Sequence, residues 1–195
     1  MIIYEGPSAL DGEPIVAIAT GLGRPSRNSK TGSLVQVWIL RADKLPLEAV
    51  RDGDDASVCG NCKHRGTSCY VNVGQAPQSV WRTYAAGRYA RAADLEAVSA
   101  ALAGKAVRMS AYGDPAALPG EVVKACLAKA SGHTGYTHQW RRAPELAYWL
   151  MASCDTPAER IQAKILGFRT FRVRHVSARL LPQELECLAD SAGIT

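Results

Sequence analysis

No apolar run reaches the roughly 18 residues that a bilayer-crossing helix needs, so the chain predicts no membrane span. The first residues, MIIYEGPSAL, hold no basic stretch leading into an apolar one, which predicts no secretory leader. Together these place the chain in a cytoplasm, where disulfides are a poor use for cysteine. There is no fixed-period repeat, no low-complexity tract and no sustained heptad pattern, which excludes collagen and coiled coil. Aromatic residues are scarce, at 7%, and none interleaves with the basic residues in the manner of a single-strand nucleic-acid track.

What remains is an ordinary globular composition. The chain has 195 residues, 47% of them hydrophobic, enough for one domain over 1–195 with a real core. The net charge is +5, and it is local. Residues 141–179 carry eight basic side chains (Arg141, Arg142, Arg160, Lys164, Arg169, Arg172, Arg174, Arg179) against three acidic ones (Glu145, Asp155, Glu159). The rest of the chain balances. A local excess of this kind can draw phosphate or nucleic acid, or it can be a solvated helix face beside a basic strand. Arg24, Arg27 and Lys30 offer a smaller basic loop, for an anion or for solvent.

Residues 1–33 read as loop-rich, with a strand at 14–20 (PIVAIAT) and a long hairpin turn. VQVWILR, 35–41, is β-branched enough for a buried strand, and polar residues 42–57 read as loop. Pro77 opens a helix that Gly87 closes; Asp94 caps a second, over 94–102. From 107 onward strands and helices alternate: strands near 107–112, 135–139, 150–153 and 169–174, helices near 119–130 and 156–166, a helical turn at 144–149, and a terminal helix at 181–192. Such alternation predicts an α/β fold, a partial (β/α) barrel or an open, mostly parallel sheet.

Chemistry concentrates in the loop 58–72. It reads Cys59-Gly-Asn-Cys62-Lys-His64-Arg-Gly-Thr-Ser-Cys69. Two residues between thiols let both point at one metal, and a turn at Gly66 can fold Cys69 back. Three thiolates from one loop suit either an iron–sulfur cluster or zinc. Zinc wants a fourth ligand, and His64 or Cys187 can supply it. Cys126 lies on the apolar side of a helix and reads as a core thiol. Cys154 ends a strand and can either face the site or pack. His138 lies near a strand end, as a ligand, a proton carrier or a hydrogen-bonded structural residue; His133 flanks the same strand, and His175 carries no signal. Trp81, Trp140 and Trp149 read as core or pocket wall.

The strand VRMSAY runs into Gly113-Asp114-Pro115. Glycine allows close backbone approach, and the carboxylate can accept from an amine; a plain β-turn is the simpler use of the same triplet. The cysteine loop after one strand and this acidic turn after the next resemble the radical S-adenosylmethionine (radical SAM) family. That resemblance implies a partial barrel and a [4Fe-4S] cluster on Cys59, Cys62 and Cys69. It also implies S-adenosylmethionine bound at Tyr112, Gly113 and Asp114. The cysteine spacing is C-x2-C-x6-C rather than the family's C-x3-C-x2-C, and Asp stands where the family has Glu.

Longer stretches resemble a family of bacteriophage and prophage proteins. They are VQVWILR, SVCGNCKHRG, SCYVNVGQAPQSVW, AYGDPAALP, GYTHQW and ASCDTPAERIQAKILGFRTFRVR, spanning most of residues 35–174. This second resemblance implies a phage-encoded iron–sulfur protein in the cytoplasm of a bacterial host. Relatives of that kind continue past the position of Cys187 into paired cysteines, which makes Cys187 the implied fourth metal ligand. Three functional readings follow: a radical-SAM-like enzyme, a structural zinc protein with a basic nucleic-acid face, and a non-catalytic iron–sulfur redox or sensor protein.

Overall fold

A computed structural model describes residues 1–23, 32–175 and 177–186. Seven strands form one open sheet whose spatial order follows the chain: β1 (Ile2–Pro7), β2 (Pro14–Thr20), β3 (Val35–Arg41), β4 (Ala106–Tyr112), β5 (Gly132–Thr137), β6 (Met151–Cys154) and β7 (Arg169–Arg172). β1, β2 and β3 pair antiparallel, while β3 through β7 pair parallel. Parallel neighbours that are consecutive in the chain need crossover connections, which favour one hand and so one face, as in a barrel wall left open. The expected α/β architecture is thus the one observed.

The middle of the sheet is the core. β2 and β3 are almost wholly buried, as their runs of Val, Ile and Leu require of strands covered on both faces. Helices α4 (Leu95–Leu102) and α5 (Gly120–Leu127) bring Val98, Leu102, Val122, Val123, Cys126 and Leu127 into the same hydrophobic cluster as Val107 and Met109 of β4. Side-chain caps open two of the helices, the one at Asp94 as expected from sequence. Asp94 accepts the Ala97 N–H at 2.8 Å, and Thr156 accepts the Glu159 N–H at 3.1 Å to open α6 (Pro157–Ile165). α3 (Ala76–Ala85) ends before Gly87 at φ 65°.

Three expectations need correction. Residues 1–20 are more regular than loop, because Ile2–Pro7 adds an antiparallel strand along β2. The stretch 42–57 is not loop either: it holds α1 (Pro46–Asp52) and the start of α2 (Ala56–Cys59). Its Asp-Gly-Asp-Asp run is only the break between them, with Gly53 left-handed at φ 84°. The terminal helix does not begin at 181, since residues 181–186 are turn and coil. The remainder of that expected helix, with Cys187, lies outside the described residues, as do Arg24, Arg27 and Lys30.

One irregularity shapes the functional edge. Gln36 pairs with Arg108, yet Trp38 pairs with Tyr112, so β4 carries extra residues against β3. Ser110 sits in that bulge at φ 77°, a left-handed conformation costly for a residue with a side chain. The next left-handed residue, Gly113, has a reason to lack one: a Cβ there would lie 2.6 Å from the Ile39 carbonyl oxygen. No helix among the described residues is long and apolar enough to cross a membrane.

Candidate functional site at the carboxyl edge of the sheet

Four consecutive parallel strands deliver polar residues at their carboxyl ends: β3 leads through α1 and α2 to the cysteine loop, β4 to Asp114, β5 to His138, and β6 to Asp155. That edge is where open α/β sheets and barrels build their sites.

The cysteine loop is clamped from within. α2 ends at Cys59, and Gly60 follows with φ 62° and ψ −141°, a region open essentially to glycine alone. A Cβ there would meet the Gln139 side chain at 2.4 Å. Gln139 Nε2 donates to the Cys59 carbonyl at 3.1 Å, tying the loop to the end of β5. Arg65 spans the loop: Nη1 donates to the Gly60 carbonyl at 2.9 Å, and Nη2 to the Gly53 carbonyl at 2.7 Å and Asp55 Oδ1 at 2.6 Å. The Cys69 N–H donates to the His64 carbonyl at 2.9 Å, so the chain does fold back at Gly66.

All five described cysteines are free thiols. Burial pushes the Cys59 thiol well above its ordinary range, and the negative charge of Asp55, Asp114, Cys62 and Cys69 adds to it. Burial also raises Cys62, against a hydrogen bond from the His64 N–H. Cys59, Cys62 and Cys69 therefore sit within one another's electrostatic reach. Cys126 is fully buried in the core, where burial lifts its thiol to about 12. Cys154 is fully buried too, its sulfur 3.7 Å from the Ala152 carbonyl oxygen, so it packs rather than joins the loop.

The structure brings Tyr112, Gly113 and Asp114 beside this loop. Burial and the neighbouring Cys59 raise the Tyr112 hydroxyl far above its usual value. The Asp114 N–H donates to the Val58 carbonyl at 2.5 Å. The Asp114 carboxylate turns inward: Oδ1 accepts from Thr137 Oγ1 at 2.7 Å and Ala116 N at 3.0 Å, and Oδ2 from His138 N at 2.8 Å. Burial raises its pKa to about 6 despite these donors. Asp114 caps the 3-10 turn Pro115–Ala117 and fixes the turn at the end of β5.

Beside the thiols lies a second group, His64, His138 and Asp155, whose ligand atoms all fall within 4.8 Å of one another. His64 Nε2 is 2.9 Å from Asp155 Oδ1, and its Nδ1 is 2.6 Å from Ser68 Oγ. Lys63 Nζ pairs with Asp155 Oδ2 at 3.1 Å. Burial works to raise the Asp155 carboxyl, but the bonds from His64 and Lys63 outweigh it and hold it below its usual value. The His138 ring lies 5.5 Å from that of His64, and burial lowers its pKa. His138 Nε2 is buried without a hydrogen-bond partner among the described residues, so the hydrogen-bonded structural role does not describe that nitrogen.

Sequence reasoning named His64 and His138 but passed over Asp155, Arg65 and Gln139. The one signal for Asp155 was its place directly after a short strand, at the same edge as the cysteine loop. The basic segment 141–179 is largely engaged with the chain itself. Arg141 meets Gln162 and Glu159, Arg142 donates to the Leu10 carbonyl, Arg160 and Arg172 meet Glu184, and Arg174 meets Glu186. Comparison with family models, curated proteins and solved structures finds no match, so the site is read from its own geometry.

Proposed function

We propose that this chain is an iron–sulfur protein that carries a cluster on Cys59, Cys62 and Cys69. The observation that supports this most is the clamped loop itself. It holds three free thiols within one another's electrostatic reach at the carboxyl edge of the open sheet. In a cluster each cysteine ends on its own iron, so three thiols from one loop can serve it. The donor set fits the group: soft thiolates from one loop, with Arg65 held nearby as a fixed positive charge. When bound, such a cluster supplies one-electron chemistry.

The residues around it have separable tasks. Arg65 and Gln139 fix the loop, and the apolar core behind Val58 shields one side from water. The buried Tyr112 stays protonated beside the thiols. A radical-SAM-like reaction would ask for a carboxylate able to take the amino group of S-adenosylmethionine. Asp114 already accepts from Thr137, Ala116 and His138, so a redox or sensor role fits these residues better than that enzyme does. The engaged arginines of 141–179 likewise favour a cluster protein over a zinc module with a nucleic-acid face.

The test is protein purified without air, read by visible absorption with iron, sulfide and zinc analysis. Brown protein with iron and sulfide in comparable amounts is the expected result. Changing Cys59, Cys62 or Cys69 to Ala abolishes the colour, while Cys126→Ala keeps it. Colourless protein holding zinc but no sulfide would overturn the reading.

A further inference from the structure

We propose that His64, His138 and Asp155 form a binding site for one divalent transition-metal ion of the zinc class, separate from the three thiols. The donors come from three places in the fold, the cysteine loop, the end of β5 and the end of β6, yet their ligand atoms lie within 4.8 Å of one another. Two imidazole nitrogens and one carboxylate oxygen are a donor set suited to zinc or to ferrous iron, with room for a further ligand.

The buried His138 nitrogen carries the argument. A buried polar atom left unpaired is costly, so few are kept without a use. His138 Nε2 has no partner among the described residues, whereas its backbone N–H is pinned to Asp114 Oδ2 at 2.8 Å. The backbone that carries the ring is held in place, and the ring nitrogen is unspent. A bond to a metal ion would satisfy it.

The other two donors are prepared in the same sense. His64 Nδ1 contacts Ser68 Oγ at 2.6 Å, which orients the ring and leaves Nε2 toward the site. Outer hydrogen bonds of this kind commonly fix a ligating histidine and its tautomer. Asp155 gives Oδ2 to Lys63 at 3.1 Å and keeps Oδ1 toward His64 at 2.9 Å. An ion between them would replace that one hydrogen bond. The His64 and Asp155 side chains are only 18% and 11% exposed, which limits competition from bulk water. The rings of His64 and His138 are tilted by 60° rather than stacked, so they can address a common centre. A simple His64–Asp155 ion pair would explain two of the three residues and leave His138 unaccounted for.

The test uses the full chain, freed of metal with a chelator and titrated with Zn2+ and then Co2+. One equivalent of Zn2+ binds to a variant in which Cys59, Cys62 and Cys69 are all Ala. His138→Gln and Asp155→Asn weaken binding at least a hundred-fold, and Ser68→Ala by about ten-fold, the range seen for outer-shell partners. The Co2+ form shows weak visible bands without the intense near-ultraviolet absorption of a thiolate ligand. Equal Zn2+ affinity with and without His138→Gln in that triple-Ala chain would overturn the proposal, and so would the absence of Zn2+ binding there. Should the triple variant not fold, His138→Gln and Asp155→Asn in the otherwise unchanged chain decide the same question. Failure of this site leaves iron and sulfide on the cysteines unaffected, and failure of the cluster leaves Zn2+ on the histidines, so the two proposals fall separately.

Discussion

Asp114 Oδ2 accepts the backbone N–H of His138 at 2.8 Å, joining the carboxyl end of β4 to the turn that follows β5. Thr137 Oγ1, which donates to the other carboxylate oxygen, itself accepts from Gln139 N at 2.9 Å. Gln139 in turn reaches the Cys59 carbonyl. One buried carboxylate thus positions both donor sets, the thiols through Gln139 and the histidine through its own backbone.

This makes Asp114→Asn informative. An amide can accept from some of the three donors, but its NH2 group would face another donor and leave it unpaired. The expected loss is about 1–3 kcal/mol, or a fall in melting temperature of roughly 2–10 °C for a chain this size. Thermal unfolding followed by circular dichroism measures it. An unchanged melting temperature would mean that the carboxylate does not hold the turn.

Arg65 offers a second test. Its guanidinium bonds two carbonyls and the Asp55 carboxylate, whose side chain is 4% exposed. Arg65→Met leaves that carboxylate buried and unpaired, an expected loss of about 3–5 kcal/mol. Arg65→Lys restores the charge without the planar fork, so its stability falls between the two. Denaturant unfolding gives the order. Equal stability of Arg65→Met and the parent chain would show the loop is not clamped in this way.

The fold was legible where burial and periodicity agree. VQVWILR and PIVAIAT are almost wholly buried strands, and the caps at Asp94 and Thr156 are local chemistry that needs no knowledge of the rest. β1 was hidden because IIYEGP is short, half exposed and ends in proline, and only its pairing with β2 makes it a strand. α1 was hidden by the Asp-rich run after it, whose turn chemistry describes its end rather than its body. At the site, the cysteine loop was legible because its thiols are neighbours in sequence. His64 and Asp155 are 91 residues apart, and their meeting depends on the order of parallel strands, which spacing does not encode.

At the far edge of the sheet, Glu184 accepts from Arg172 Nε and Nη2, both at 2.6 Å, and from Leu181 N at 2.8 Å. Arg160 lies 3.5 Å away. These bonds fasten residues 181–186 to β7, the edge strand of the sheet. The paired arginine pulls the Glu184 carboxyl down to about 2. A carboxyl depressed in the folded state stabilises wherever it is ionised in both states. Its contribution is therefore complete above the ordinary glutamate pKa near 4.5 and fades as pH falls toward about 2. Glu184→Gln should lower the melting temperature most near neutral pH. The gap from the parent chain should stay constant down to about pH 5 and narrow below it, because the parent then loses the same charge. Melting temperatures of both proteins across that range decide the matter. A gap that is independent of pH, or absent near neutral pH, would show that the Arg172 pair does not fasten this segment.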